Sequence, residues 1–240
     1  MLDPLALVLA ALATALGALV QGSVGFGFAL VAAPLLTLIN PRLVPGAATV
    51  ASAGLNLMTL YRTRRGPTDW SGLRSAGAGL VPGTLAAGAM LAAMSAHLVA
   101  VSVGVLVLIA VLVSLAGLSV HRTPGSMFAI GVVSGFMGTA ATVGGPAMAL
   151  AYQRDSGPVI RATLGRFFML STVLTFIVLI PAGRLALEHV WAGLAMIPGV
   201  AAGFVLSRRT HARLDAGRAR PAVLAVAAAS SVAVLLRELL

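Results

Sequence analysis

The chain has 240 residues, 59% of them hydrophobic and only 9% charged, with a mean hydropathy of +1.03. A soluble domain carries about 25% charged residues, so composition makes this a polytopic helical membrane protein with no room for a soluble catalytic domain. The net charge of +10 comes from arginines alone, set in short loops where they report topology rather than nucleic-acid binding; the lack of cysteine excludes disulfides, thiolate metal sites and cysteine nucleophiles.

The first apolar run, 5–20, has Ala-x-Ala spacing at Ala11 to Ala15. No positive residue precedes it, and Asp3 is the only charge there, so the run reads as a retained segment rather than a cleaved signal. It passes through Gln21-Gly22-Ser23-Val24-Gly25-Phe26-Gly27-Phe28 into a second run, 28–39, that contains Pro34. One helix over 5–39 would be about 52 Å long, against a hydrocarbon thickness of about 30 Å. A helical hairpin that turns at the glycines and leaves on the side it entered is therefore predicted. Full spans are predicted at 44–61, 75–95 and 98–119. The short runs 126–138 and 140–152 flank Ser134-Gly135-Phe136-Met137-Gly138-Thr139-Ala140-Ala141 and Gly144-Gly145-Pro146, which predicts a second hairpin. Spans at 163–181, 188–206 and 221–236 complete the chain.

With the N-terminus outside, this arrangement puts every arginine inside except Arg42, Arg184 and Arg237, as the positive-inside rule favours. Hairpins and pairs of full crossings have the same parity, so the arginine count does not separate them. The halves also match each other. Gly22 pairs with Gly135 and Gly25 with Gly138 at an offset of 113, and Ala48-Thr49 matches Ala162-Thr163 at 114. The expected fold is an all-α integral membrane protein of two inverted repeats, residues 1–122 and 123–240. Each repeat is a glycine-broken hairpin plus three transmembrane helices, an organisation shared by many secondary transporters.

The chemistry is bounded by what is missing. Asp3, Asp69, Asp155, Glu188, Asp215 and Glu238 all fall at ends or in loops, so no mid-membrane carboxylate is available as an ion relay. His97, His121, His189 and His211 lie at segment ends without ligand spacing, so no metal is expected. No nucleophile-base set can be assembled, no phosphate-binding loop is present, and no cofactor is expected. Backbone remains. At a broken helix, free amides and the positive end of the dipole bind anions, and glycine lets a ligand approach. Gln21, Gly22, Ser23, Gly25 and Gly27 form one candidate half-site. Ser134, Gly135, Gly138, Thr139, Thr142, Gly144 and Gly145 form the other. The competing reading is close helix packing, which is the preferred reading for Gly83, Gly88, Gly199 and Gly203. Asn56 is either an interhelical hydrogen bond or a cavity group. Arg166 either snorkels to the inner surface or turns inward to an anion, and Arg161 reads as an interfacial anchor.

Gly22-Ser-Val-Gly-Phe-Gly-Phe-Ala-Leu-Val-Ala-Ala-Pro34 resembles the opening signature of the TauE/SafE family of sulfite exporters. Gly135-Phe-Met-Gly-Thr-Ala-Ala-Thr-Val-Gly-Gly-Pro146 resembles its internal repeat, and Arg161-Ala-Thr163 the segment that follows. The resemblance covers nearly the whole chain and implies a transporter of small anions in the bacterial inner membrane. Its expected substrate is sulfite or an organosulfonate such as sulfoacetate; a small carboxylate is the alternative cargo, and a non-transporting scaffold the alternative role. The expected partners are a small anion and the lipid bilayer. A homodimer is allowed and nucleic acid is excluded.

Overall fold

The computed structural model describes residues 3–116, 120–214 and 219–239; for 209–214, 219, 220 and 222 it describes the backbone alone. Arg218 and the side chains of Arg209, Arg213 and Arg220, which carry part of the arginine argument, lie outside the described residues. The described residues are helical, as composition demands, with ten α-helices and one short 3-10 turn. In order they are α1 (Pro4–Val24), α2 (Phe28–Ile39), α3 (Gly46–Thr63), α4 (Trp70–Ala93), α5 (Ala96–Leu115), α6 (Pro124–Ala141), α7 (Gly145–Tyr152), α8 (Gly157–Leu179), α9 (Leu187–Leu214) and α10 (Ala219–Leu239), with the turn at Pro41–Leu43.

Starts are marked by local chemistry. Proline occupies the first turn of α1, α6, α7 and α8, where its missing N–H costs nothing. Asp69 caps α4 by accepting from the Gly72 amide at 3.0 Å, and Thr123 and Ser126 form a reciprocal cap on α6.

Among the described residues six helices are long and apolar enough to cross a membrane: α1, α4, α5, α6, α8 and residues 187–208 of α9. The hairpins are asymmetric. Their long limbs, α1 and α6, are 21 and 18 residues, while the return limbs α2 and α7 are 12 and 8. At 1.5 Å per residue the return limbs are about 18 and 12 Å, short of a crossing. Of the four paired glycines only Gly25 lies in a break. The breaks fall at Gly25–Gly27 and at 142–144, so Gly22, Gly135 and Gly138 remain helical. Gly25 ends α1 in the left-handed region at φ +104°, a conformation glycine accepts freely. Thr142 plays that part for α6 at φ +60°.

α4 packs on α6 and α1 on α9 by direct backbone approach. A β-carbon on Gly79 or Gly83 would overlap the carbonyl of Phe128 or Val132, and one on Gly199 or Gly203 would overlap that of Ala11 or Ala15. Such small-residue seams are the usual glue between membrane helices. Gly135 belongs to the same seam, facing Leu80 of α4, and Gly22 lies against Ser207 of α9. These two candidate site glycines are therefore packing glycines. Replacing Gly203 by leucine is expected to force α1 from α9 and lower stability by more than the ~1–3 kcal/mol of ordinary overpacking, read as a lower detergent unfolding temperature and reduced monodisperse yield.

The arginines do more than mark topology. Arg62 donates to the Gly22 carbonyl at the end of α1 (2.6 Å), and Arg166 to the Arg64 carbonyl past α3 (2.8 Å). Arg184 donates to Leu91 and Met94 at the end of α4, and Arg237 to Leu38 at the end of α2 (2.6 Å). Each guanidinium donates to carbonyls at or just past a helix C-terminus and sits at the negative end of a dipole.

Candidate functional site

The site begins with two polar stripes. In α3, Thr49, Ser52 and Asn56 recur at the spacing of one helix face, and in α8 Ser171, Thr172 and Thr175 do the same beside Phe168. α3 and α8 run antiparallel against each other. This polar stripe lowers the hydropathy of α3, which is not among the six helices named above as long and apolar enough to cross a membrane.

A hydrogen-bonded chain crosses the stripes. Gln21 Nε2 donates to Asn56 Oδ1 at 2.9 Å, Asn56 Nδ2 donates to Thr172 Oγ1 at 2.9 Å, and Thr172 donates to the Phe168 carbonyl at 2.8 Å. The Phe28 amide donates to Gln21 Oε1 at 3.3 Å. One glutamine thus links the last turn of α1 to the first turn of α2 across the break. Gln21 and Asn56 are 6% and 5% exposed, and burial at this depth requires the pairing they make.

Between these elements lies a cavity with about 50 Å³ open to the centre of a water molecule. One water needs about 10–15 Å³ on this measure, so the space suits a few waters or one small ion. It is lined by Gly27 to Leu30 from the first turn of α2, and by Thr142 to Pro146 around the start of α7. Gln21, Gly138, Thr49, Ser52, Asn56, Phe168, Ser171, Thr172 and Thr175 complete the wall. No charged side chain is among the lining residues. The donors on offer are hydroxyls, carboxamide hydrogens and first-turn amides such as those of Ala29 and Gly145, which have no acceptor within their own helices. The two breaks meet at the cavity edge, where a β-carbon on Gly145 would lie 3.3 Å from Phe26 Cβ.

The sequence candidates divide. Gln21, Gly27, Asn56, Gly138, Thr142, Gly144 and Gly145 line the cavity together. Gly22 and Gly135 do not; they pack on α9 and α4. Ser23 is buried and returns its hydroxyl to the Leu19 carbonyl at 2.8 Å. Gly25 backs onto Arg161. Thr139 pairs with Thr175 at 2.9 Å behind the wall, and Ser134 is fully buried with its Oγ unpaired. Arg166 turns away from the cavity toward the end of α3, over the Trp70 ring at 5.6 Å. Sequence reasoning missed Thr49, Ser52, Ser171, Thr172 and Thr175. The signal was present as polar residues at helical spacing inside two apolar spans.

Thr142 combines a lining position with a left-handed backbone, and its Oγ1 donates to the Ala141 carbonyl at 2.6 Å. A β-branched residue is strained there, by about 1–3 kcal/mol. Thr142→Gly is expected to raise the unfolding temperature of the empty protein while weakening anion binding, a split that thermal shift with and without anion resolves.

A family model described as sulfite exporter TauE/SafE matches residues 9–234, nearly the whole chain. Neither the curated proteins nor the solved structures gave a match.

Proposed function

Because the chain belongs to the TauE/SafE sulfite exporter family, we propose that this multi-pass membrane protein is a secondary transporter of a small oxyanion, sulfite or an organosulfonate such as sulfoacetate. One observation carries the reading. The first turns of α2 and α7 enter the same uncharged cavity, so two positive dipole ends and their free amides face one small space. Paired broken helices around such a space are how secondary transporters hold ions. The lining offers donors and no carboxylate, which suits an anion and not a cation.

The helix pairings support two repeats, 1–122 and 123–240. Exchanging α1–α5 for α6–α10 turns the α1/α9 pair into α6/α4, α3/α9 into α8/α4 and α2/α10 into α7/α5, and leaves α3/α8 and α5/α10 as they are. The antiparallel crossing of α3 and α8 supports the inverted sense. In this reading the N-terminus is outside, and the end bearing Arg62, Arg122 and Arg161 faces the cytoplasm across the inner membrane. A single cysteine at position 68 of this cysteine-free chain resists an impermeant thiol reagent in intact cells and reacts in inverted vesicles. Labelling from outside contradicts the orientation.

Outward movement of an anion gains about 2.3 kcal/mol per charge per 100 mV of inside-negative potential, so export runs as uniport without a relay carboxylate. Proteoliposomes loaded with sulfite or sulfoacetate, under an imposed potential and no ion gradient, release the anion at a rate that follows the potential. Absence of flux for sulfite, sulfoacetate, taurine, thiosulfate and glycolate alike would leave the scaffold role instead.

A further inference from the structure

Arg161 is unlike Arg62, Arg166 and Arg184, the other half-buried arginines among the described residues. It is half-buried in the second turn of α8, yet among the described residues it has no hydrogen-bond acceptor, carboxylate or aromatic partner. Arg62, Arg122, Arg166, Arg184 and Arg237 all have one. A guanidinium keeps its charge and five N–H donors at any physiological pH, and withdrawing it from water without an acceptor is unfavourable. Its neighbours add to the charge. Arg62, half-buried, lies within electrostatic reach of both Arg161 and Arg208. Among the described residues no carboxylate lies within ion-pair distance of any of the three.

The position matters as much as the charge. A β-carbon on Gly25 would lie 3.2 Å from Arg161 Cγ, so the arginine stem covers the break between α1 and α2. Gly27 and Phe28, on the other flank of that break, line the cavity. Arg62 holds the Gly22 carbonyl one turn earlier.

We propose that Arg161, Arg62 and Arg208 form a second oxyanion station on the arginine-rich side of the first helix break. It takes the class of ligand assigned to the cavity, and to that extent rests on that reading. The ligand chemistry is a compact oxyanion with two oxygens for a guanidinium fork, and either a soluble anion or a lipid phosphate supplies it.

The test uses the full chain in nanodiscs and labelled sulfite under nitrogen. In zwitterionic lipid the wild type binds two equivalents, the second lost steeply with added salt because it is the more exposed. Arg161→Gln, which removes no hydrogen bond or ion pair among the described residues, weakens the second equivalent by about tenfold or more and leaves the first unchanged; Arg208→Gln acts in the same direction. Gly138→Leu removes the first and keeps the second. A wild type that binds one equivalent, identical in Arg161→Gln, overturns the station and leaves the cavity standing. Undiminished binding in Gly138→Leu overturns the cavity and leaves the station to the Arg161 arm. In nanodiscs with phosphatidylglycerol the second equivalent persists. If it vanishes there, and phosphatidylglycerol copurifies with the wild type but not with Arg161→Gln, the site belongs to a lipid and the transport station is overturned.

Discussion

Gly138→Leu abolishes oxyanion binding in the cavity, and transport with it, in a protein that remains folded. Gly138 lies within α6, before the break, so leucine meets no backbone strain. A β-carbon there would sit 3.4 Å from Ser171 Oγ and 3.7 Å from Gly144, ordinary van der Waals distances. Gly138→Ala is therefore tolerated, while the rest of the leucine side chain has the cavity as its open direction. A butyl group projecting from position 138 occupies the space that the ion needs between the two breaks. Gly25→Leu is a poorer probe, because φ +104° penalises any side chain whatever the ligand does. Equilibrium binding and detergent unfolding temperature, measured on the same samples, separate these cases. At an ionic strength that suppresses the arginine station, binding falls below detection in Gly138→Leu with an unfolding temperature near that of the wild type.

Asn56→Leu both destabilises the protein and removes binding. It strands the Gln21 amide hydrogen and takes away the donor to Thr172, whose own hydroxyl still reaches the Phe168 carbonyl. Each buried group left unpaired costs about 1–3 kcal/mol, so the unfolding temperature falls and Gln21 no longer holds the break between α1 and α2 in place. Asn56→Asp keeps the shape and separates charge from packing. The ionised carboxylate faces the same space as the two helix N-termini and repels the anion; protonated, it restores a neutral group. Transport by Asn56→Asp thus rises as pH falls through the range in which that carboxyl protonates, whereas Asn56→Leu stays inactive at every pH. Equal activity of Asn56→Asp and wild type at neutral pH would remove Asn56 from the site.

The helical class and the two helix breaks were legible because glycine and proline at membrane depth have few physical uses. The glycine pairing was less informative than it looked. Gly22 and Gly135 match in sequence because both lie on close-packed seams, against α9 and α4, and one turn or more separates them from the breaks. The second break ends on Thr142, and no propensity announces a β-branched residue in the left-handed region. Reading the arginines as topology markers hid their use as caps on helix ends up to 199 positions away in sequence, as with Arg237 and Leu38. It also hid Arg161, whose lack of a partner among the described residues is visible only in three dimensions. The polar stripes of α3 and α8 were readable in principle. Attention to broken backbone passed over intact helices whose Thr49, Ser52 and Ser171 complete the wall.

The claim that two helix N-termini and a neutral donor wall bind an anion is tested most directly by charge. Calorimetric titration of purified protein compares sulfite and sulfoacetate with an uncharged sulfone of similar size, at an ionic strength high enough to suppress the exposed arginines. The account predicts saturable binding of the anions and none of the sulfone, with the anion heat absent in Gly138→Leu. Equal binding of the sulfone, or an anion isotherm unchanged in Gly138→Leu, would contradict it.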